Sequence, residues 1–501
     1  ILSVIFLVCA QICVFLIARI FMNFSSKNQA DAKDVKFTEE AAYKIGVGFT
    51  SWLKKRGISN IKIALGHDPR PTAQSLTGAF TKGAENGGAT VLNFGLSTTP
   101  AIFMATKFCD INADAGVMFT ASHLGKEWNG IKFFTKEGGL SKDDVKELLT
   151  LADNVHVKDI TSDNEINESD LLMSLYAKHL RNIISDNFNK TTPLEGLKIM
   201  VDSGNGSGGF FATEVLKNLG ADITGSQFLD PDPEFPNHPA NPENEDAIKS
   251  ATSACLKSSP DIGIIFDTDV DRCAAIAGDG TLLGGEKLIA LLAKTITSTN
   301  PNETIVTDSV VSGKLTEFIE SLGLRHLRYK RGYRNVIDKS KQLNESGSAS
   351  PLAIETSGHC AFKNNYFLDD GAYLSAMLIV LAAKQKEENS DIKALIADYP
   401  EPKDKRNYRL KITVHDYVEA GTKIQEACKN TLKTTDKYKI ITPTCEGTRI
   451  EFPNGWMLIR MSLHEPLLVI NAESYEESGC DELIGLITPC LEKGGADTSA
   501  L

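Results

Sequence analysis

Gly116-Val117-Met118-Phe119-Thr120-Ala121-Ser122-His123 runs from an apolar, β-prone stretch into a short polar turn, and Trp128-Asn129-Gly130-Ile131-Lys132 follows closely. A serine on a sharp turn after a strand is exposed and nearly free of neighbouring bulk, so its hydroxyl can act as a nucleophile or a phosphoryl carrier. The same residues also suit a loop serine making local hydrogen bonds. What separates the two readings is company further along the chain: Asp267-Thr268-Asp269-Val270-Asp271-Arg272, then Glu355-Thr356-Ser357-Gly358-His359, then Arg460-Met461-Ser462-Leu463-His464-Glu465-Pro466.

Around these stretches the pattern alternates strand and helix. Thr38-Glu39-Glu40 opens a helix through Leu53 with Thr38 as N-cap. A β-prone run, Ile61–Leu65, leads into Gly66-His67-Asp68-Pro69-Arg70, and the helix Ala73–Ala84 precedes the strand Thr90–Phe94. A second such series starts at Leu197–Val201 and a third near Thr304–Thr307, which predicts α/β layers. Tyr399–Lys405 reads as a linker. After it come Tyr408–Val414, a helix near Val418–Thr431, and the strands Arg449–Phe452, Trp456–Arg460 and Leu467–Ala472, a smaller α+β unit. Gly204-Asn205-Gly206-Ser207-Gly208-Gly209 fits the dinucleotide fingerprint between a strand and the helix Phe210–Leu219, but no acidic residue clearly ends a second strand. A tight turn in which glycine permits close packing is the plainer reading.

A chain of 501 residues exceeds one core and predicts three to four domains. With 42% apolar residues it has the composition of an ordinary globular protein, and a formal charge of −12 argues against a general nucleic-acid binder. A local Arg/Lys/His cluster can still bind a small phosphorylated substrate. The ten cysteines form no CxxC pair and read as free thiols rather than a disulfide framework or a zinc site. Ile1 to Met22 is almost entirely apolar, interrupted by Ser3, Gln11 and Arg19, and is long enough to cross a bilayer. It reads as a signal sequence, an anchor, part of an organelle address, or a gene-model artefact.

The downstream stretches carry their own chemistry. Asp267, Asp269 and Asp271 alternate after the apolar run Ile262–Phe266, so in an extended loop their carboxylates point one way. Three converging carboxylates repel without a cation, and an oxygen-only set suits Mg²⁺; a solvated acidic turn is the alternative. Lys132 follows Asn129-Gly130 closely enough to face the same cleft, or is a surface lysine. Glu355 and Ser357, after Leu352–Ile354, can bracket vicinal sugar hydroxyls as acceptor and donor, or form a polar turn. Arg460, Ser462 and His464 alternate at a strand end before Pro466, three donors suited to phosphate oxygens, or an exposed strand face.

These four motifs, in this order, resemble those of the α-D-phosphohexomutase family, over roughly residues 38–495 and closest to its plant plastid-type members. The resemblance implies an α/β fold of three similar α/β domains with mixed sheets, plus a smaller C-terminal α+β domain, around a central cleft. The expected divisions are an apolar leader at 1–24, the phosphoserine domain at 25–190, the metal domain at 191–299, the sugar domain at 300–400 and the phosphate domain at 401–501. It implies a Mg²⁺-dependent enzyme that interconverts hexose 1-phosphate and 6-phosphate, of glucose and/or mannose, through a phosphoserine and a bisphosphate intermediate, with a glucose 1,6-bisphosphate-type activator.

By resemblance Ser122 carries the phosphate and completes a metal set with Asp267, Asp269 and Asp271. Arg272 steadies the phosphoryl group, Lys132 is the general acid/base, and His123 bonds the phosphate. Lys330, Glu355, Ser357 and His359 bind the sugar, while Arg460, Ser462 and His464 grip the non-reacting phosphate. Arg331 and Arg334 read as solvated helix charges. The expected partner is a small phosphosugar, with no nucleic acid, and membrane anchoring only through residues 1–22. The leader and the resemblance suggest a plastid or other organelle, the alternative being cytoplasmic.

Two departures stand out. His464 replaces the family's threonine, and nothing in Ile1–Lys36 matches the family's opening strand and Gly-Thr-Ser-Gly-x-Arg-Gly-type loop. Two rival functions remain: an NAD-dependent oxidoreductase built on the Gly204–Gly209 turn, and a non-catalytic phosphosugar-binding homologue.

Overall fold

The computed structural model describes residues 16–19, 37–157, 168–297, 302–433, 436–442, 444–462 and 465–501. The chain forms two compact units, Ile1–Leu288 with Ser357–Ala394, and Ile289–Thr356 with Leu395–Leu501.

The first unit begins with a mixed sheet. Strand Lys62–His67 pairs in parallel with Thr90–Leu96 on one side and Ala115–Phe119 on the other. Ala115–Phe119 then pairs antiparallel with Trp128–Thr135. Helices Glu39–Lys55, Ala73–Asn86 and Lys142–Asp153 supply apolar faces to the core. There Phe49, Phe80, Val117, Phe119, Phe133 and Leu148 come together. Strand Ala115–Phe119 is buried along its whole length, which is why it reads as a continuous apolar run rather than an alternating one. The Thr38 hydroxyl caps the first helix by accepting from the Ala41 N–H at 3.2 Å, as the sequence predicts.

One element lies where the sequence reading did not put it. Leu16–Arg19, inside the stretch expected to be a separate leader, is an edge strand of this sheet, antiparallel to Trp128–Ile131. The first sheet therefore starts within residues 1–24, and a strand does occupy part of Ile1–Lys36. A run that is apolar throughout cannot be assigned by periodicity alone to a buried strand or a membrane-length segment. The rest of the apolar leader lies outside the described residues. Among the described residues no helix is long and apolar enough to cross a membrane.

A second sheet in this unit is short: Ile262–Phe266 lies between parallel Ile199–Asp202 and antiparallel Cys273–Ala277. The expected helix after the glycine-rich turn is instead a wide π-type stretch, Phe211–Leu216, ending in a 3₁₀ turn, Lys217–Leu219.

In the second unit, strand Thr304–Thr307 is flanked in parallel by Arg325–Arg328 and Leu352–Ile354. The C-terminal part is an antiparallel sheet ordered Asp404–Lys411, Leu467–Ser474, Gly455–Met461, Thr448–Phe452 and Lys439–Ile440. Helices Tyr417–Leu432 and Asp481–Lys493 cover it through Ile424, Cys428, Leu483 and Ile487. The architecture is three α/β/α domains with mixed sheets and a further sheet domain near the C-terminus.

Candidate active site

Ser122 follows strand Ala115–Phe119 by three residues and adopts φ +52°, a left-handed conformation uncommon for a residue with a Cβ. Its N–H donates to the Thr120 hydroxyl at 2.9 Å. The sharp turn is as expected, but the exposure is not: Ser122 is only 2% exposed. Burial comes from segments remote in sequence, which a local reading does not see. The Ser122 hydroxyl donates to Asp267 Oδ2 at 3.4 Å and lies 3.2 Å from His123 Nδ1.

Strand Ile262–Phe266 delivers the metal-loop candidates. Asp267, Asp269 and Asp271 are all buried, and a ligand atom from each lies within 4.8 Å of the others. The loop is tight: Val270 sits at φ +66°, strained for a β-branched side chain, and its carbonyl accepts from the Gly371 N–H at 3.0 Å. Lys132, fully buried on strand Trp128–Thr135, reaches Asp269 Oδ2 at 2.6 Å and Asp271 Oδ2 at 2.5 Å, so it is no surface lysine. Arg272 spans the group. It donates from Nε to Asp267 Oδ2 at 3.1 Å, from Nη2 to His123 Nδ1 at 2.7 Å, and from Nη1 to Glu243 at 3.4 Å.

Burial and the neighbouring Asp271 charge push the Asp267 and Asp269 carboxyls above their usual range. Burial also works upward on Asp271, but the charges of Lys132, His359 and Arg272 outweigh it and hold this carboxyl low. Burial, then the Arg272 charge, pushes His123 down to about 3, so its Nδ1 is an acceptor for Arg272. Asp269 Oδ1 and Asp271 Oδ1 are buried without a hydrogen-bond partner among the described residues. Orphaned carboxylate oxygens beside two carboxyls that resist ionising are what a hard divalent cation would satisfy, and the oxygen-only set fits Mg²⁺.

Sequence reasoning missed several members of this site. Thr99 donates its hydroxyl to Asp269 Oδ2 and its N–H to the Asp269 carbonyl at 2.9 Å. Asp369 accepts from His359 Nδ1 at 2.5 Å, and His359 itself stands among the buried acids: Asp271, His359 and Asp369 also bring ligand atoms within 4.8 Å. His359 therefore sits beside the Asp267–Asp271 loop, its backbone pairing antiparallel with that of Arg272. Nothing in the spacing of Thr99 or Asp369 marks them. Both are placed by helix and hairpin geometry.

The other expected residues fall in different places. Glu355 is buried in the second unit, where its carboxylate accepts from the Gly332 N–H at 2.6 Å. Ser357 is buried in the first unit. Lys330 is exposed, its ammonium 5.8 Å from the Tyr329 ring. Arg334 pairs with Asp338 one turn along its helix, a solvated pair as expected. Arg331 is different: it precedes the helix, its N–H donates to Glu446 at 3.0 Å, and its guanidinium lies 4.0 Å from buried Asp308. Arg460 is 6% exposed, with its Nε unpartnered among the described residues. The Ser462 N–H donates to the Leu467 carbonyl at 2.8 Å. His464 lies outside the described residues.

The glycine-rich turn is not a dinucleotide cradle. Ser207 N–H donates to the Thr268 carbonyl at 2.8 Å, and a Cβ on Gly206 would stand 2.7 Å from that same oxygen. A Cβ on Gly209 would meet the Leu229 carbonyl at 2.0 Å. The glycines let the turn press against Thr268 of the Asp267–Asp271 loop on one side and against Leu229 on the other, which is the close packing that glycine permits.

Three sequence models match the chain in succession: phosphoglucomutase/phosphomannomutase alpha/beta/alpha domain I over residues 25–155, domain II over 174–280 and domain III over 284–399. A phosphoglucomutase/phosphomannomutase of Thermococcus kodakarensis is 30% identical over 463 residues, covering 91% of this chain and 96% of its own. A phosphomannomutase/phosphoglucomutase of Pseudomonas putida is 28% identical, covering 87% and 88%. The crystal structure of a phosphoglucomutase/phosphomannomutase family protein from Burkholderia thailandensis aligns with a TM-score of 0.76 at 25% identity, covering 92% of this chain and 95% of that one.

Proposed function

The chain belongs to the phosphoglucomutase/phosphomannomutase family, and on that premise we propose that Ser122 is the phosphoryl carrier by which it interconverts hexose 1-phosphates and 6-phosphates of glucose and/or mannose. It is an isomerase of the intramolecular phosphotransferase type. Neither the oxidoreductase reading nor the non-catalytic one has support. The observation that carries the mechanism is the convergence of the Ser122 hydroxyl, three acidic side chains, Lys132, Arg272 and His123 in one buried site.

Phosphoryl transfer asks for positioning and charge neutralisation more than covalent assistance. Asp267, Asp269 and Asp271, with an oxygen of phospho-Ser122, would hold Mg²⁺, which supplies neutralising charge at the phosphoryl oxygens. Arg272 reaches the Ser122 side from Asp267 and steadies the phosphoryl group as it leaves. His123, with Nδ1 accepting, carries its proton on Nε2 and offers it to a phosphate oxygen. Lys132 moves the proton of the attacking sugar hydroxyl. The phosphoryl group passes from Ser122 to that hydroxyl, giving a bisphosphate and a free serine hydroxyl. The other phosphoryl group then returns to Ser122. Burial of the serine keeps water from competing.

In the same reading Lys330, Glu355, Ser357 and His359 bind the sugar, and Arg460, Ser462 and His464 take the phosphate that is not reacting. A glucose 1,6-bisphosphate-type activator recharges Ser122 when an intermediate escapes. The test is a coupled mutase assay on glucose and mannose phosphates, primed with glucose 1,6-bisphosphate, alongside peptide mass analysis of Ser122. Phosphate on Ser122 and loss of turnover in Ser122→Ala are expected. Normal turnover by Ser122→Ala would refute the carrier role.

A further inference from the structure

The loop after the first parallel strand, His67-Asp68-Pro69-Arg70, takes no part in the chemistry above, yet it holds the serine turn. Arg70 is 2% exposed and Asp68 is fully buried. The Arg70 guanidinium spends all five N–H groups. Nε donates to Asp68 Oδ2 at 2.9 Å; Nη2 donates to the carbonyls of Ser122 at 2.6 Å and Leu124 at 2.8 Å; Nη1 donates to those of Gly125 at 2.5 Å and Trp128 at 3.0 Å. Four carbonyls of residues 122–128 thus converge on one cation. Asp68 in turn extends the sheet, its N–H donating to the Phe119 carbonyl at 3.0 Å. Asn129 adds a second tie at the far end of the loop, to the Thr72 hydroxyl at 2.6 Å.

This wrapping matters because Ser122 sits at φ +52°. A serine relaxes from the left-handed region unless its surroundings over-determine it. The Ser122 carbonyl is one of the four gripped oxygens, so the guanidinium fixes the peptide plane that directs the side chain toward Asp267 and His123. We propose that Arg70, braced by Asp68, is a positioning residue that sets the Ser122 turn for phosphoryl transfer. It touches neither sugar nor phosphate in this role. Lysine does not replace it, since an ammonium has three donors and no planar fork for five acceptors.

The proposal rests on Ser122 being the carrier, and the experiment separates the two. Wild type, Arg70→Lys and Asp68→Asn are compared for kcat and KM, for the rate at which glucose 1,6-bisphosphate phosphorylates Ser122 by intact mass, and for amide hydrogen exchange across residues 120–128. In Arg70→Lys, kcat and the phosphorylation rate should fall by about 10²-fold while KM stays within about twofold, as a misplaced nucleophile affects the transfer step. Exchange should quicken in residues 120–128 and not in strand Ile262–Phe266. Asp68→Asn, which keeps the shape of the brace, should show the same pattern more weakly and serves if Arg70→Lys does not fold. Wild-type rates in a folded variant, or equal changes in kcat and exchange throughout the first unit, would overturn the positioning role. Absence of Ser122 phosphorylation in wild type would overturn the carrier reading, and this proposal with it.

Discussion

The Lys132 ammonium lies 2.6 Å from the Asp269 carboxylate, and neither side chain has any exposure to solvent. It contacts Asp271 as well, so this one cation is shared between two of the three acids expected to hold metal. Replacing it leaves buried negative charge uncompensated, which typically costs about 3–5 kcal/mol. Lys132→Met should therefore lose stability in chelator and recover part of it when Mg²⁺ is added, a larger metal-induced rise in Tm than wild type gives. Equal melting of the two proteins in chelator would show that the pair does not hold the site together.

Replacing Asp271 by Asn removes a charge from a site that holds Mg²⁺ with carboxylates. Turnover should fall at least about 10²-fold, equivalent to about 2.7 kcal/mol of barrier. Excess chelator should silence the wild type, and full activity under chelation would end the metal assignment.

Gly206 gives a test at a distance from the reacting atoms. A methyl group there would stand 2.7 Å from the Thr268 carbonyl oxygen and 2.9 Å from its Cα, both backbone atoms, so Thr268 must move. Thr268 lies between Asp267 and Asp269. Gly206→Ala should cost about 1–3 kcal/mol of stability and raise the Mg²⁺ concentration needed for half-maximal activity. A variant with normal stability and normal metal response would show that the turn yields without disturbing the loop.

The legibility of the site followed sequence distance. Asp267, Asp269 and Asp271 were readable as an acidic cluster after a buried strand, but not by the expected route: the loop is not extended, and a tight turn with Val270 at φ +66°, not the period of a strand, gathers the three carboxylates. Ser122 was readable as a turn but not as a buried one. The Arg70 clamp was invisible, because its acceptors are backbone carbonyls more than fifty positions away, with no side-chain pattern to mark them. Leu16–Arg19 has no legible strand signal, because apolar residues on every side mask the alternation. His359 stands close to Glu355 in sequence, and its pairing with Asp369, which the hairpin Cys360–Phe362 and Leu368–Asp369 brings about, has no mark in the sequence.

His326 offers a stability test away from the metal loop. It is held between the Thr307 hydroxyl at 2.8 Å from Nε2 and the Thr316 hydroxyl at 2.8 Å from Nδ1. Burial, with the charges of Arg328 and Arg449, pushes it down to about 3. The unfolded chain then binds a proton that the folded chain refuses between about pH 6.5 and about pH 3, so this contribution is full above about 6.5 and declines as pH falls. Between pH 7 and pH 5 it should remove about 2 kcal/mol. His326→Gln should show a correspondingly shallower loss of denaturation midpoint over that range. An unchanged slope would mean that His326 takes up its proton while folded.

Arg460 tests the reorientation that a single serine requires. Ser122 can serve both ends of the sugar only if the bisphosphate turns over between transfers, so each phosphate in turn needs the same distal grip. Arg460 is suited to it: among the described residues its Nε is unpartnered, and burial, then the charge of Arg331, holds its guanidinium below the usual range. Arg460→Ala should weaken 1-phosphate and 6-phosphate alike, by about 1.5–3 kcal/mol for lost charged hydrogen bonds. It should also release more bisphosphate into solution, since the intermediate loses its hold while turning. The measurement is KM for both isomers with free bisphosphate followed during turnover. An effect on one isomer alone, with no escape of intermediate, would mean that the two orientations do not share this grip.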